Sequence, residues 1–284
     1  MHTQHQSAPA EPVAHESAYF ELQATWGITK HLGGTAATDS LAALCHIDRN
    51  AYVLDVGCGT GITPRYLAQT LGCRVVGVDI SARMIGWAQR QVRRAGAGDR
   101  VRLGVADAQR LPFADGTFDA VICESVTAFV PDKPRAVAEY VRVTRPGGYV
   151  GMAEGTWLTP PPPEMAAYLA RVMDGADFQR PDTWQSFLAG AGLIGLVAQC
   201  YPISTRRQWR SEMGRLGRDA AVDYLRAWKT FAGLLITSAA FRWYVRDLWP
   251  SSSSLFRMFD YFGYGVFVGR KAAPDTAPNI ERFA

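Results

Sequence analysis

The sequence predicts an α/β protein in which a largely parallel sheet is covered by helices on both faces. Short, β-branched apolar runs alternate with segments of helical spacing between Tyr52 and Glu154. Each predicted strand is apolar on both faces, as expected for a sheet that is buried on both sides. A glycine-rich turn, Gly57–Gly61, joins the first strand to the first helix of this alternation. Such a turn lets a ligand approach the main chain at a helix N-terminus.

The alternation assigns the elements in order. Five strands are predicted in the first half: Tyr52–Gly57, Arg74–Ile80, Val101–Asp107, Thr117–Ser125 and Arg145–Glu154, the last beginning with a turn at Arg-Pro-Gly-Gly. Helices with apolar residues at helical spacing are predicted at Gly61–Leu71, Ser81–Gly96, Asp132–Thr144 and Asp182–Leu193. Two further strands are predicted at Ile194–Ser204 and Tyr261–Ala272. Ser81 is an expected helix N-cap, and Gly96 an expected stop.

Composition indicates an ordinary globular protein of 284 residues, with 48% hydrophobic and 20% charged residues. The net charge of +4 gives no argument for a polyanionic partner. Its five cysteines show no paired spacing, which predicts reduced thiols, a cytoplasmic location and no metal site. Residues 1–17 have no secretory pattern and are predicted to be disordered. The charge-free stretch Trp184–Thr205 contains glycines and a proline, so no transmembrane helix is expected.

The glycine turn does not fit the common nucleotide motifs. Its spacing is G-x-G-x-G, whereas a dinucleotide fingerprint needs G-x-G-x-x-G, and no Lys-Ser or Lys-Thr follows as in a phosphate loop. Asp55 precedes the turn and would repel a pyrophosphate but attract a cationic group. Asp79 ends the second strand, where a carboxylate can accept ribose hydroxyls. Asp107 ends the third. Together these residues favour an adenosine that carries a zwitterionic tail.

Four stretches in this order, LDVGCGTG, VVGVDIS, VADAQRLPFADGTFDAV and VTRPGGYV, resemble the class I S-adenosylmethionine-dependent methyltransferases. The resemblance is strongest to the methyltransferase type 11 group, which includes the ubiquinone/menaquinone methyltransferases. It covers residues 52–154 and implies a Rossmann-like, seven-stranded, mostly parallel sheet whose last strand is antiparallel. It also implies S-adenosyl-L-methionine as cofactor.

The resemblance implies a role for each matching position. The glycine turn would line the methionine part, Asp79 would hold the ribose, and Ile80 would pack on the adenine. Glu124, at the end of the fourth strand, would lie beside the cofactor and near the acceptor, at a position where the quinone enzymes commonly have a small polar residue. The expected cofactor-binding residues are Asp55, Gly57, Gly59, Thr60, Gly61, Asp79, Ile80, Asp107, Ala108 and Glu124.

Three residues are candidate general bases: Glu124, Glu154 and His31. Methyl transfer from a sulfonium depends mainly on aligning the reacting atoms, and a base is needed only for a protonated acceptor. Glu154 ends the fifth strand, at the edge where ligands bind in open α/β sheets. His31 lies in a glycine-bearing segment before the core. Simple surface, capping or salt-bridged roles for these side chains remain the alternatives.

The methyltransferase domain is predicted to span residues 18–284, with 157–181 and 205–260 as a helical cap on the acceptor side. Segment 205–260 is rich in aromatic and basic residues. It is either a lid over an apolar or aromatic small molecule, a basic amphipathic surface for a membrane or lipid, or a cap with its own small core. A nucleic-acid partner is not expected, since no separate RNA-binding module is present. Peripheral membrane contact and oligomerisation are left open.

The sequence thus predicts a methyltransferase that acts on a small, hydrophobic or aromatic acceptor, at carbon or oxygen before nitrogen. A membrane-associated lipid or quinone methyltransferase is one alternative. A protein that binds S-adenosylmethionine without catalysis is another. A nicotinamide oxidoreductase would share the architecture, but the glycine spacing and Asp55 oppose it.

Overall fold

Seven strands within the described residues form one sheet, in the order β3-β2-β1-β4-β5-β7-β6. The computed structural model describes residues 23, 31–173, 175–203, 229, 232–233, 235–237, 242 and 257–273. The strands are β1 (Tyr52–Val56), β2 (Arg74–Asp79), β3 (Val101–Val105), β4 (Phe118–Glu124), β5 (Thr144–Trp157), β6 (Leu193–Pro202) and β7 (Phe262–Lys271). Strands β1 to β5 pair in parallel, and β7 runs antiparallel to both of its neighbours. The predicted fold class is confirmed.

The described helices lie before β1 and in the connections between strands. They are α1 (Gly34–Leu44), α2 (Ile62–Thr70), α3 (Ala82–Arg94), α4 (Lys133–Val143), α5 (Pro163–Val172) and α6 (Pro181–Gly190), with a 3₁₀ turn at Thr127–Phe129. The expected N-cap of α3 is present, because the Ser81 side chain accepts a hydrogen bond from Met84 N. At the start of α4, Asp132 accepts one from Arg135 N, which was not predicted.

Strand β5 is longer than predicted at both ends. The Arg-Pro-Gly-Gly stretch lies inside it as an irregularity, because the register with β4 shifts between the pairs Phe118–Thr144 and Ala120–Tyr149. Beyond Glu154 the strand continues to Trp157, since β7 pairs with it along its whole outer length. A strand can extend past the helical layer when an antiparallel neighbour satisfies its backbone groups.

The core has two main parts, one on each face of the sheet. On one face α4 and α6 pack on the strands through Tyr140, Val137 and Trp184. On the other, α1 and α2 contribute Leu41 and Leu67. Alternate residues of a strand enter opposite parts of the core, so the register decides which face receives each polar residue at a strand end.

Two sequence predictions fall largely or wholly on residues outside the described ranges. Residues 1–17 are not described, and only scattered positions of 205–260 are. Segment 157–181, predicted as part of a cap, contains α5 and returns to the sheet, where Thr156 and Gln179 form a β-bridge. No helix of the described residues is long and apolar enough to cross a membrane.

Phe267→Ala is expected to lower the free energy of unfolding by about 3–5 kcal/mol, because Phe267 is fully buried at the centre of β7 and its removal leaves a cavity. Ile194→Ala, at a 52% exposed position on the edge strand, is the control and should change it by less than about 1 kcal/mol. Chemical denaturation of both variants checks the difference. Equal losses would contradict the assigned core.

Candidate active site

The glycine turn is held close to two other segments, which leaves no room for a side chain at Gly57. The N–H groups of Gly57 and Cys58 both donate to Val78 O, at 2.7 and 2.9 Å, which ties the turn to β2. Gly57 has a φ of 76°, and a Cβ there would lie 2.1 Å from Cγ2 of Val126. The bare backbone at Gly57 therefore lets the segment after β4 pack directly on the turn.

Gly61 ends the turn and is the N-cap of α2. Its φ is 81°, and a Cβ there would lie 3.0 Å from Ala88 Cβ of α3. The third glycine thus allows α3 to pack closely beside the start of α2. Thr60, also predicted to contact the cofactor, is fully buried within the turn. The N-terminus of α2 opens at the carboxyl edge of the sheet, where its amide groups favour negatively charged ligand atoms.

Asp79 ends β2 and binds two backbone amides. Its Oδ2 accepts from Gly59 N and its Oδ1 from Ser81 N, both at 2.9 Å. Burial raises the pKa of this carboxyl, and the two N–H groups partly offset that rise. Each oxygen keeps a lone pair for a further donor such as a ribose hydroxyl. Ile80 follows with its side chain 72% exposed, an apolar surface beside the turn that suits a flat base.

Asp107 and Ala108 follow β3 along the same edge. Asp107 Oδ1 accepts from Gln109 N at 2.8 Å, so its carboxylate is fixed by a local turn. Ala108 is buried, and its small side chain packs in the core under this turn. The structure therefore places these two predicted cofactor-binding residues just after Val105, which pairs with Asp79.

Asp55, Asp79 and Glu124 lie on one face of the sheet, at three adjacent strands. Asp55 pairs with Gly77, two residues before Asp79, and with Ile122, two residues before Glu124. Because side chains alternate along a strand, all three carboxylates point to the same side. Burial raises the pKa of Asp55 well above its usual range, and the charges of Glu124 and Asp79 raise it further.

This carboxylate group fits a cationic ligand. Asp55 Oδ2 is buried and has no hydrogen-bond partner among the described residues. No set of three or more His, Cys, Asp or Glu side chains in the described part of the chain is arranged to hold a metal ion. An organic cation would offset the mutual repulsion of the carboxylates and give the Asp55 oxygen a partner.

Glu124 is buried and surrounded by polar side chains from three elements. Thr38 Oγ1 of α1 donates to its Oε1 at 2.9 Å, and Thr63 Oγ1 of α2 donates to its Oε2 at 2.6 Å. His31 Nδ1 lies 3.4 Å from the same Oε1. The two atoms are close, but Nδ1 makes no aligned hydrogen bond in the described structure. The fully solvated alternative for Glu124 is therefore wrong.

Glu154 lies apart from this group, on the opposite face of the sheet. Its neighbour Ala153 pairs with Glu124, so Glu154 points the other way. The side chain is fully buried, and Oε1 accepts hydrogen bonds from Val126 N and Thr127 N. The structure thus brings together Glu124 and His31 but not Glu154, although the sequence made all three equal candidates.

Several contributing residues escaped the sequence reasoning. Thr38 and Thr63 fix Glu124, and Ser125 receives a hydrogen bond from Leu32 N at 3.2 Å, which ties the segment containing His31 to the end of β4. Threonine inside an apolar helix face was the available signal for the first two. Nothing in the sequence indicated Ser125, whose φ of 58° is set by its place between β4 and the 3₁₀ turn.

A family model described as a methyltransferase domain matches residues 54–152, which contain the glycine turn, Asp79, Asp107 and Glu124. The sequence match and the strand order together support a class I S-adenosylmethionine-dependent methyltransferase domain in this region. The match begins in β1 and ends in β5. It therefore covers the part of the chain that carries the cofactor-side residues and leaves His31 and the acceptor-side segments outside.

Two curated relatives of the methyltransferase domain extend this comparison. Methyltransferase GfsG from Streptomyces halstedii is 36% identical over 121 residues, which cover 43% of this chain and 44% of GfsG. The 27-O-demethylrifamycin SV methyltransferase from Amycolatopsis mediterranei is 29% identical over 199 residues, covering 68% of this chain and 73% of that protein. The matched region thus spans less than half the length of the first relative.

Among solved structures, the [4+2]-cyclase SpnF has a TM-score of 0.69 and 20% identity, with coverage of 90% of this chain and 93% of SpnF. At that identity the likeness concerns the fold alone.

Asp79→Ala should weaken S-adenosylmethionine binding roughly tenfold or more, because hydrogen bonds to a charged group are worth about 1.5–3 kcal/mol. Titration calorimetry measures the change. Asp99→Ala is the control, since exposed Asp99 precedes β3 at the opposite edge of the sheet. Unchanged affinity in the Asp79 variant would remove this residue from the cofactor site.

The affinity of the wild-type protein for S-adenosylmethionine should rise with pH. Burial raises the pKa of Asp55 in the free protein, whereas a bound cation favours the ionised carboxyl and lowers that pKa, so binding releases a proton at pH values between the two. Asp55→Asn should flatten the dependence. Calorimetry in buffers of different ionisation enthalpy counts the proton, and an identical pH slope in both proteins would exclude Asp55 as its source.

Proposed function

We propose that the protein is an S-adenosylmethionine-dependent O-methyltransferase that acts on a hydroxyl group of a small, largely hydrophobic acceptor. One observation carries the choice of oxygen. His31 Nδ1 lies 3.4 Å from Glu124 Oε1, beside the glycine turn, so a histidine and a carboxylate are paired where the cofactor is expected. A hydroxyl acceptor arrives protonated and benefits from such a base, whereas an activated carbon does not need one.

The carboxyl ends of β1, β2 and β4 would hold the cofactor. Asp79 would accept the ribose hydroxyls, Ile80 would support the base, and Asp55 would face a positively charged group of the methionine end. When bound, S-adenosylmethionine supplies a methyl group on a positively charged sulfur. The three-carboxylate group favours that charge before transfer and loses part of this attraction after it, because the product sulfur is neutral.

His31 would act as the general base, and Glu124 would orient it. With Nδ1 toward Glu124, the other ring nitrogen, Nε2, is directed away from the carboxylate and free to accept a proton. The acceptor oxygen passes its proton to Nε2 as the oxygen–methyl bond forms and the methyl–sulfur bond breaks. Glu124 then stabilises the imidazolium. Thr38 and Thr63 keep the carboxylate in place throughout.

A hydrophobic acceptor is supported by the residues at the same edge of the sheet. Rings of Phe129, Phe178 and Phe262 make edge-to-face contacts, with centroids 6.3 and 4.8 Å apart along the series, and Trp157 packs on Phe262 at 5.1 Å. Phe129 is only half-buried. Phe178, Phe262 and Trp157 are buried in the core, so of this series Phe129 would offer an apolar surface to the acceptor. The name of the 27-O-demethylrifamycin SV relative likewise denotes methylation of an oxygen.

The label-transfer experiment below distinguishes this proposal from two alternative functions. A lipid or quinone methyltransferase that contacts a membrane would share the cofactor site but transfer to carbon in the quinone case. A protein of this fold can also have a different activity, as the cyclase title of SpnF states for that protein. The His31–Glu124 pair favours the hydroxyl acceptor over both.

Label transfer tests the proposal. The protein is incubated with methyl-labelled S-adenosylmethionine and three acceptor sets: polyketide lactones with free hydroxyls, hydroquinones, and phosphoethanolamine. Mass spectrometry of labelled products locates the methyl group. Oxygen methylation in the first set supports the proposal. Label only at carbon or nitrogen, or cofactor binding without any transfer, overturns it.

His31→Asn should lower kcat by about 10²-fold or more while leaving cofactor affinity unchanged, because a positioned general base typically contributes about 10²–10⁴. The deficit should narrow as pH rises, since the acceptor hydroxyl then ionises without the base. Glu124→Gln should also lower kcat more than affinity. His46→Asn, at an exposed histidine, is the control. Wild-type kcat in the His31 variant would contradict the assigned base.

A further inference from the structure

We infer that Glu154 is a positioning residue: its Oε1 holds the segment Ser125–Phe129, called the post-β4 segment here, against both the glycine turn and the segment that carries His31. The inference rests on the proposed function for its effect on turnover. Its effect on cofactor binding and on backbone order is independent of that function.

The first link is between Glu154 and the backbone of the post-β4 segment. Oε1 accepts from Thr127 N at 2.7 Å and from Val126 N at 3.1 Å. These two amides lie at the start of the 3₁₀ turn, where a helix leaves its first N–H groups without internal partners. Both would lose this acceptor without the carboxyl, and a buried N–H group without a partner is unfavourable. Glu154 is therefore the acceptor that fixes this turn.

The second link runs from the post-β4 segment to the cofactor site. Val126 fills the space over Gly57, so closely that a Cβ on Gly57 would lie 2.1 Å from Cγ2 of Val126. Because Glu154 accepts a hydrogen bond from the Val126 amide, it also fixes the position of the Val126 side chain against the glycine turn. Loosening the amide would let the turn move.

The third link runs to the candidate base. Ser125 Oγ accepts from Leu32 N at 3.2 Å, and Leu32 follows His31 directly. Ser125 N donates to Ala153 O at 2.8 Å, next to Glu154 itself. Two neighbouring residues of β5 therefore hold the post-β4 segment, Ala153 through its backbone carbonyl and Glu154 through its side chain. The segment in turn holds the chain beside His31.

Positioning requires an acceptor atom, not a charge. Burial raises the pKa of Glu154 to about 7, so the carboxyl is partly neutral at physiological pH. The carbonyl oxygen of a neutral acid still accepts from both amides. The titratable groups that face Glu154, Cys123 of β4 and Tyr140 of α4, have raised pKa values through burial and stay uncharged. A charged state of Glu154 thus has no cationic partner among these groups.

Three substitutions separate an acceptor from a charge. Glu154→Gln keeps an acceptor oxygen at the same reach without the charge. Glu154→Asp keeps the charge but withdraws the oxygens by one methylene. Glu154→Met keeps the volume without a strong acceptor. Each variant is compared with wild type at a temperature where circular dichroism shows all of it folded. The readouts are cofactor Kd, kcat and acceptor KM, and amide hydrogen exchange at Val126, Thr127 and Leu32.

If Glu154 acts as a hydrogen-bond acceptor, the Gln variant should resemble wild type more closely than the Asp and Met variants in every measurement. Glu154→Gln should retain kcat and Kd within about threefold of wild type and keep the amides protected. Glu154→Asp and Glu154→Met should lower kcat roughly ten- to hundredfold, as misplacement by about 1 Å can do, weaken cofactor binding and speed exchange at Val126 and Thr127. If Glu154→Met does not fold, the contrast between Gln and Asp still decides.

The opposite order overturns the inference. Activity retained in Asp but lost in Gln would make Glu154 a charged or proton-transferring group. Full protection and wild-type Kd in all variants would make its contacts inconsequential. Failure of the proposed function is recognised separately: His31→Asn would then have no effect on transfer, or no acceptor would be methylated, while amide exchange and cofactor Kd would still report on Glu154.

Discussion

The site depends on three carboxylates that the sheet holds close together, of which Asp55 and Glu124 are buried and Asp79 is half-buried. Parallel pairing of β1 with β2 and β4 brings Asp55, Asp79 and Glu124 to one face at the carboxyl edge of the sheet. Such a group is unfavourable without partners, which is why Asp79 binds backbone amides and Glu124 binds two threonine hydroxyls. Asp55 retains an oxygen with no described partner, and a cationic ligand satisfies what the protein leaves unsatisfied.

The sheet also separates two kinds of acidic residue. Glu124 and Glu154 lie on adjacent strands at neighbouring register positions, yet their side chains point to opposite faces of the sheet. Glu124 shares its face with α1, α2 and His31, and the proposed chemistry takes place there. Glu154 shares its face with the helical core of α4 and α6, where its contacts among the described residues are backbone amides and a weakly polar thiol. One is thus suited to catalysis and the other to holding the backbone.

The segment after β4 connects these two faces. It begins after Glu124, at the carboxyl edge of the sheet. Val126 contacts the glycine turn, and Ser125 contacts the segment that carries His31. Glu154 fixes the backbone of the segment by accepting from its amides. This short stretch of backbone therefore contacts the glycine turn and the segment that carries the candidate base, and it also carries Phe129. A small displacement of that stretch would reach all three, which explains why a residue that touches no ligand can affect both binding and turnover.

The sequence by itself determined the fold class and where most strands lie along the chain, and it supplied the candidate cofactor-side residues. Glycine spacing, apolar periodicity and the acidic residues at strand ends are local features, and local features fix where strands end. Only the tertiary structure decided which residues meet. Register assigned Glu124 and Glu154 to different faces, and the packing of α1 brought His31 and Thr38 to a carboxylate more than eighty residues away. Side-chain direction alternates with every residue, so a pairing shift of one position, invisible in the sequence, reverses the outcome.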